Sequence, residues 1–452
     1  MKILILPCLL IASSAAAQPL TLTQAVHGAL DRYPSIRVSR EQIAAAAAGI
    51  TLARTAYLPK VDALAQVNRA TRNNVFGLLL PQSVIPSMSG PVIGTNNTGT
   101  VWGSALGAMV SWEPFDFGRR RADVDLAAAT RAQSEAALVR TRFEIAGAAA
   151  DAFLTLAAAQ ETVRAAQAGV ERAATVARTI AAQVGAQLRP GADQSRAEAE
   201  LAAARTQQIQ AEQAVAVARA NLAQFTGGEP GQLAIAADAL LRPAPAAAPG
   251  APDNARNPVL LEQAAAVEQS RAQLRVLERS YFPRFYLQGA VYARGTGADV
   301  DGARLGGANG LAPTTQNFAA GLTVTFPVSD LPALRAREAA QSAAIRAQSA
   351  RADQIALDLR TQWNRAVANL EGARRVAANT PVQVSAARAA SEQATARYQA
   401  GLGNIDEVAE AQRLLTQAEI DDALARLTVW RGLLGIAVAA GDIEPFLAEA
   451  TR

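Results

Sequence analysis

The sequence predicts a mixed α and β membrane protein that is internally duplicated, with long helical hairpins and four strands of membrane-spanning length. Three observations lead to this prediction. The phrase "AYLPKVDALAQV" at Ala56 returns in similar form as "SYFPRFYLQGAV" at Ser280. The residues that follow the proline of each phrase alternate with period two, which is typical of strands. Long stretches with little proline carry Ala, Leu, Arg and Glu at helical spacing.

The chain begins with a segment typical of an export signal. Lys2 is followed by the apolar run Ile3–Ile11, and Ala15–Ala17 fits a small-residue cleavage site. We therefore expect a signal peptide over residues 1–17, since the run is too short to span a bilayer. Cys8 is the only cysteine and lies in this segment, so the mature chain should have no disulfide or lipid anchor. No uncharged run of about 18 apolar residues follows, so no transmembrane helix is expected.

The first repeat covers residues 18–225 and has the order helix, strand, loop, strand, helix, turn, helix. Apolar residues at helical spacing begin at Thr21, and the period changes to two after Pro59. A loop rich in Gly, Pro, Ser and Asn separates the two strands. The predicted elements are a helix over 21–56 broken at Pro34, strands over 61–68 and 100–112, and helices over 119–183 and 194–225.

A linker rich in Pro, Ala and Gly over residues 226–257 separates this repeat from the second repeat, residues 258–452. The spacing shows the duplication, because the interval from Pro34 to Pro59 is the same as that from Pro258 to Pro283. We expect Pro381 to kink or interrupt the second long helix. The predicted elements are a helix up to Pro283, strands over 285–292 and 318–326, and helices over 334–400 and up to 440.

The four strands have one apolar and one mixed face, and each has about the length that a tilted strand needs to cross a bilayer. Because open edges are excluded from lipid, other copies must complete the sheet, giving eight strands from two copies or twelve from three. Trp112, Phe115 and Phe326 fit either an interfacial aromatic girdle or packing against the helix ends. The side expected to face lipid carries Val61, Ala63, Leu287, Val291, Leu322 and Val324, and the side expected to face water carries Asp62, Gln66, Asn68, Gln288, Thr323 and Thr325.

Several classes of protein are excluded by composition. The formal net charge is +4, without the basic stripe that nucleic-acid binding requires. His27 is the only histidine, so a His/Cys metal site cannot be built. "DVDG" at Asp299 lacks the glutamate that closes a calcium loop. No phosphate-binding loop, nucleophile elbow or dinucleotide fingerprint occurs, so we expect neither enzymatic activity nor a cofactor.

The chain resembles the TolC-like outer-membrane efflux proteins over nearly its whole mature length. The residues that carry the resemblance are "TLTQAVHGALDRYP", the paired "YLPKV" and "YFPRF", "PFDFGRRR" and "YQAGLGNIDEVAEAQRLL". The resemblance implies a homotrimer with a twelve-stranded transmembrane β-barrel and a periplasmic α-barrel. It also implies a periplasmic adaptor and an inner-membrane pump as partners. Such a duct would passively conduct drugs, metals, small molecules or proteins across the outer membrane.

The resemblance also places the periplasmic entrance at the turn between Tyr398 and Gly401. Two acidic residues that follow this turn in the family match Glu407 and Glu410. Their i, i+3 spacing puts both on one helix face, and three copies would surround a narrow mouth with up to six carboxylates. An ordinary solvated helix face is the alternative interpretation.

Links between helices near that mouth hold the entrance shut in the family. Asp193, in the first-repeat turn, matches the acidic partner, while Tyr398 and Gly401 match the tyrosine and the turn glycine. The usual basic partner is absent, because Gly403 occupies its position. The basic residues that could replace it are Arg189 and Arg413.

One alternative function stays open, a periplasmic adaptor or structural protein built from helical hairpins. An adaptor needs a globular β-domain between the two halves of its hairpin, whereas this sequence offers two strand pairs of bilayer length. Membrane fractionation separates the two hypotheses, because a barrel stays with the outer membrane during extraction. The cargo and the cognate pump are not encoded in any motif of the sequence.

Overall fold

A computed structural model of the 452-residue chain describes residues 19–71, 99–245, 254–299, 303–326 and 328–451. The predicted signal peptide with Cys8, the loop between the first two strands, part of the linker and most of "DVDG" lie outside the described residues. The helices are α1 (Leu22–Arg32), α2 (Pro34–Thr55), α3 (Arg119–Gly185), α4 (Gly191–Thr226), α5 (Pro258–Arg279), α6 (Leu331–Gln399), α7 (Ile405–Ala440) and α8 (Glu444–Ala450). The strands are β1 (Lys60–Thr71), β2 (Thr100–Trp112), β3 (Arg284–Thr296) and β4 (Thr315–Thr325).

The chain forms two compact units, and both draw on each sequence repeat. The first, or helical, unit contains the described residues within 1–43, 133–265 and 349–452. The second, or sheet, unit contains the described residues within 44–132 and 266–348. The repeats therefore do not correspond to the structural units, because the strands of both repeats pair in a single sheet.

The sheet unit contains an antiparallel four-stranded sheet in the order β1-β2-β3-β4. Its register pairs Val61 with Val110, Ala108 with Val291, and Val291 with Phe318. Directly opposed residues in an antiparallel sheet point to the same side. One face is therefore apolar across all four strands over most of its length, and the predicted mixed α and β fold with four strands is confirmed. The large apolar side chains exposed on this face are Val61, Val67, Leu106, Val110, Trp112, Leu287, Val291, Phe318, Leu322 and Val324.

The core of the helical unit is formed by small and aliphatic side chains. Phe153 and Leu156 of α3 and Leu222 of α4 are fully buried, and Trp430 of α7 belongs to the same cluster. Alanine lets neighbouring helices approach closely, so long helices can pack without bulky side chains. His27 lies exposed on α1.

Helix α7 has the length and apolar composition of a membrane span, the only such helix in the part of the chain that the structure describes. Nevertheless, 44% of its most apolar window is buried within the protein. Trp430 and Leu434 of α7 lie in the main core cluster. Helix α7 therefore packs as a core helix.

Pro381 lies inside α6, which continues without interruption from Leu331 to Gln399. Of the two expected outcomes, an interruption is therefore wrong, and a kink stays a prediction. Proline removes the hydrogen bond to the Ala377 carbonyl, but tertiary packing holds the helix on both sides of it. On one side Leu370 packs with residues of α7, and on the other side Ala387 does so.

Two ordered features of the helical unit have no counterpart in the sequence prediction. Helix α8 follows α7 and buries Phe446 and Leu447 in the core. Within the predicted linker, Leu240 is buried in the same core, and Ile235 pairs with Leu20 in an isolated parallel bridge. These segments are ordered because a few apolar side chains bury against helices that are distant in sequence.

The motif "PFDFGRRR" joins β2 to α3 through a buried ion pair. Asp116 accepts hydrogen bonds from the N–H of Gly118 and from the backbone and side chain of Arg120. The Arg120 guanidinium lies over the Tyr57 ring at 4.7 Å. Burial raises the pKa of Asp116, but these hydrogen bonds and the charge of Arg120 outweigh it and hold the pKa below its ordinary value of 3.8.

We expect Asp116→Ala to destabilise the protein by about 3 kcal/mol, because it leaves the buried Arg120 charge without its partner. The measurement is chemical unfolding of the detergent-solubilised chain, with Asp125→Ala, an exposed acid near the start of α3, as control. Because the pKa of Asp116 is depressed in the folded protein, its contribution to the free energy of unfolding should be present at neutral pH. This contribution should disappear as the pH falls below about 4. Equal stability of the two variants would contradict this role.

Candidate functional site

The candidate site lies in the helical unit and consists of two turns. The first turn follows α3, and the second turn follows α6. In the second turn the Gly401 N–H donates to the Tyr398 carbonyl and the Leu402 N–H donates to the Arg397 carbonyl. Gly401 has a φ of +76°, which is the left-handed cap that commonly ends a helix. The Asn404 side chain then accepts from the Glu407 N–H and begins α7.

The first turn has the same hydrogen-bond pattern, at a constant offset along the sequence. The Gln187 N–H donates to Val184 and the Leu188 N–H to Gln183, as Gly401 and Leu402 do in the second turn. Gln187 has a φ of +60° and takes the position of Gly401. By this correspondence Arg189 is equivalent to Gly403, and Asp193 to Glu407. The basic residue that is missing from the second turn is therefore present at the equivalent position of the first.

Tyr398 connects the two turns. Its hydroxyl donates to Asp193 Oδ2 at 3.1 Å, and its carbonyl accepts from the Arg189 guanidinium at 2.5 Å. The same guanidinium lies 4.3 Å from the centre of the Tyr398 ring. The structure therefore brings Tyr398, Asp193 and Arg189 together, whereas Arg413 pairs with Glu410 and Glu200.

The surroundings of Tyr398 keep its hydroxyl protonated. The side chain is only 3% exposed and packs with Ile180, Ile405 and Val408. Burial, together with the hydrogen bond to Asp193 and the charge of Asp193, raises the pKa of Tyr398 above its ordinary value of 10.0. The contact with Asp193 is therefore intact at neutral pH and is lost only as the pH rises through the raised pKa.

Glu407 and Glu410 lie in the first turns of α7, and both side chains are exposed. Glu410 accepts from Arg413 at 2.7 Å, which partly neutralises it. Asp406 pairs with Arg196 of α4 at 3.1 Å. Residues 186–200 and 397–413 together contain six acidic and four basic residues, a formal charge of −2. The turns are therefore acidic even though the whole chain is basic.

No group of three or more His, Cys, Asp or Glu side chains with metal-binding geometry occurs among the described residues. What the site can do is electrostatic and mechanical. It joins the two turns through the contacts of Tyr398 with Asp193 and Arg189, and it presents acidic side chains to solvent.

The sequence analysis named Arg189 only as one of two possible substitutes. The correspondence of the two turns would have selected it, because the interval from Arg189 to Gly403 is the same as that from Leu188 to Leu402. The left-handed conformation of Gln187 could not be predicted from sequence. Glycine adopts this conformation most readily, so the nearby Gly185 and Gly191 would have been expected to adopt it instead.

Comparisons with known proteins agree with this architecture. A family model described as "Outer membrane efflux protein" matches residues 25–228 and 254–442. Protein CyaE of Bordetella pertussis is 28% identical over 438 residues, covering 94% of this chain and 84% of the relative.

Two solved structures share the fold. The outer-membrane channel OprN has a TM-score of 0.72 at 23% identity, covering 93% of this chain and 89% of that chain. The Campylobacter jejuni CmeC outer membrane channel has a TM-score of 0.73 at 15% identity, covering 95% of this chain and 89% of that chain.

Proposed function

Because the chain belongs to the outer membrane efflux protein family, we propose that it is the outer-membrane duct subunit of a tripartite export system. In this proposal a periplasmic adaptor and an inner-membrane pump deliver cargo to the duct, which conducts it passively to the outside. The observation that carries the proposal is the apolar face that extends across all four strands of the sheet. An apolar face on strands of bilayer-spanning length is stable in contact with lipid.

The proposed assembly is a homotrimer. Strands β1 and β4 are the two edges of the sheet, and each has one side without a strand partner among the described residues. Unpaired edges are too costly in lipid, so the β4 edge of one copy would pair with the β1 edge of the next. Twelve strands from three copies would leave an open lumen, while eight strands would be filled by side chains.

The proposed periplasmic entrance is the pair of helix turns described above. The links from Tyr398 to Asp193 and Arg189 would hold it narrow. Arg189 would take the role of the basic residue that the family carries at the position of Gly403. Glu407 and Glu410 would line the mouth, supported by their exposure and by the acidic charge of the turns.

We expect Glu407→Ala/Glu410→Ala to weaken block by a trivalent cation about tenfold or more, because each copy loses two carboxylates from a shared helix face. The measurement is single-channel conductance with hexamminecobalt added to the side that the turns face. The control is Glu212→Ala/Glu392→Ala, which removes two exposed glutamates outside the turns. Equal block of both variants would mean that Glu407 and Glu410 lie on an ordinary solvated helix face and do not line the mouth.

Fractionation tests the location and native mass spectrometry tests the number of copies. An outer-membrane duct should resist extraction from the outer membrane with alkali and have the mass of three chains. A periplasmic helical-hairpin adaptor, the alternative function, would wash off or follow the inner membrane. That alternative also gives no reason for an apolar sheet face that extends across all four strands.

A further inference from the structure

The mixed face of the sheet, opposite the apolar face, carries a repeated pair of side chains on β3. Arg284 and Tyr286 form the first pair, and Tyr292 and Arg294 form the second. All four side chains point to the side of the sheet that carries Gln288, because alternate residues of a strand share one face. The mixed face therefore presents an arginine and a tyrosine near each end of β3.

The first pair already holds a carboxylate. Glu113 accepts two hydrogen bonds from the Arg284 guanidinium, with distances of 3.1 Å from Nε to Oε1 and 3.0 Å from Nη2 to Oε2. The same guanidinium lies 5.1 Å from the centre of the Tyr286 ring. Glu113 follows Trp112, which pairs with Leu287, so it continues the register to the position opposite Tyr286. This surface therefore shows how a carboxylate is held by an arginine that lies beside a tyrosine.

The second pair has no such carboxylate. The residue of β2 opposite Tyr292 is Gly107, which has no side chain. A Cβ atom there would come within 2.4 Å of the Tyr292 Cβ atom, so the close approach of β2 and β3 requires glycine. The Arg294 side chain is exposed and makes no hydrogen bond or ion pair with any described residue. Its hydrogen-bond donors are therefore free to bind a ligand.

The charges on the mixed face favour an anion. The basic residues that the four described strands place on this face are Lys60, Arg284 and Arg294. Asp62 is their only acidic residue. Asp62 lies on β1 and, through Met109, is level with Ala290, which is about 13 Å along β3 from Arg294. That separation exceeds the screening length at physiological salt, so Asp62 does not neutralise Arg294.

Small side chains surround the second pair. On the mixed face, the neighbours of Tyr292 and Arg294 within one register step include Ala105, Gly107, Ala290 and Ala319. Tyr292 borders this flat patch, and an aromatic ring that lies on the patch would contact the Tyr292 ring.

We propose that Tyr292 and Arg294 bind an organic carboxylate with an aromatic ring, whose carboxylate takes the place that Glu113 has at the first pair. The inference rests on the proposed function, in which the mixed face lines the water-filled lumen and such a ligand is part of the cargo. Arginine holds carboxylates through two parallel hydrogen bonds, and tyrosine packs against aromatic rings. The site lies in the sheet unit and is distinct from the acidic turns of the helical unit.

The test measures binding by isothermal titration calorimetry with the full chain purified in a non-ionic detergent. The probes are 2-naphthoate, 2-naphthamide, which has the same rings without the charge, and cyclohexanecarboxylate, which has the charge without an aromatic ring. The variant is Arg294→Gln, at an exposed position. The control with the same change of charge is Arg69→Gln, because Arg69 is exposed on the apolar face and pairs with Trp102.

A second variant, Asn317→Asp, tests the site without removing the arginine. Asn317 lies opposite Tyr292 on β4, and a side chain there is within diagonal reach of Arg294. An aspartate at this position would supply the carboxylate that the ligand otherwise provides. It should therefore compete with the ligand for the Arg294 guanidinium.

We expect the wild type to bind 2-naphthoate about tenfold more tightly than either of the other probes. Arg294→Gln and Asn317→Asp should each weaken this binding about tenfold or more, and Arg69→Gln should keep it. Equal affinities for 2-naphthoate and 2-naphthamide, or unchanged binding in Arg294→Gln, would overturn the proposal. Equal binding of cyclohexanecarboxylate would also overturn it, in favour of a simple anion site. Absence of binding by a protein that conducts ions would overturn this inference alone and leave the proposed function standing.

Discussion

Val291→Arg should abolish assembly in the outer membrane. Val291 lies near the middle of β3, is 69% exposed and is flanked on the apolar face by Ala108 and Phe318. An arginine facing lipid near the bilayer midplane costs about 2–4 kcal/mol, and three copies would each bear that cost. We expect the variant to be missing from the alkali-resistant outer-membrane fraction and from the trimer seen by native mass spectrometry.

The matched control for this prediction is Gln288→Arg, on the opposite face of the same strand. Gln288 is exposed and accepts a hydrogen bond from Thr323 at 3.2 Å. In a barrel this face would line a water-filled lumen, where arginine remains hydrated, so the variant should assemble like the wild type. Equal assembly of the two variants would contradict the assignment of the sheet faces.

Arg189→Gln should open the entrance and raise single-channel conductance. It removes the hydrogen bond to the Tyr398 carbonyl and the cation–π contact with the Tyr398 ring. Hydrogen bonds to charged groups contribute about 1.5–3 kcal/mol, so the ratio of open to closed channels should rise about tenfold or more in each copy. Tyr398→Phe removes only the hydrogen bond to Asp193, so it should also raise single-channel conductance, but by less than Arg189→Gln does.

The symmetry of the two turns allows a rescue experiment. Adding Gly403→Arg to Arg189→Gln returns a basic residue to the equivalent position of the second turn. A side chain at Gly403 would approach the end of the Glu407 side chain at 3.2 Å, which can move aside, and its φ is not in the left-handed range. The double variant should regain low conductance, whereas Arg205→Gln should have no effect on conductance. Failure of the rescue together with unchanged conductance in Arg189→Gln would show that the link does not gate.

The order of elements could be predicted from sequence because its signals are local and occur twice. Alternation after Pro59 and Pro283 identified β1 and β3 to within a few residues. The register then placed Val61, Leu287 and Leu322 on one face, as alternation required. Repetition at a fixed spacing made each half of the chain support the assignment of the other.

Features that depend on tertiary packing could not be predicted in the same way. The order around Leu240 comes from burial against helices far away in sequence, although its composition is typical of a linker. The continuity of α6 through Pro381 depends on contacts with α7 on both sides, which no local pattern records. At the candidate site, Tyr398 and Asp193 could be named by resemblance, but the contact of Arg189 required the geometry of both turns.

Single-channel recording of the purified wild-type protein in a planar lipid bilayer tests the central claim most directly. The account predicts stepwise insertion of a small, ohmic, cation-selective conductance, because an acidic entrance narrowed by Tyr398 links would limit the flow of ions through a passive duct. The absence of any conductance, with the protein recovered in the soluble periplasmic fraction, would contradict the account and favour the helical-hairpin adaptor.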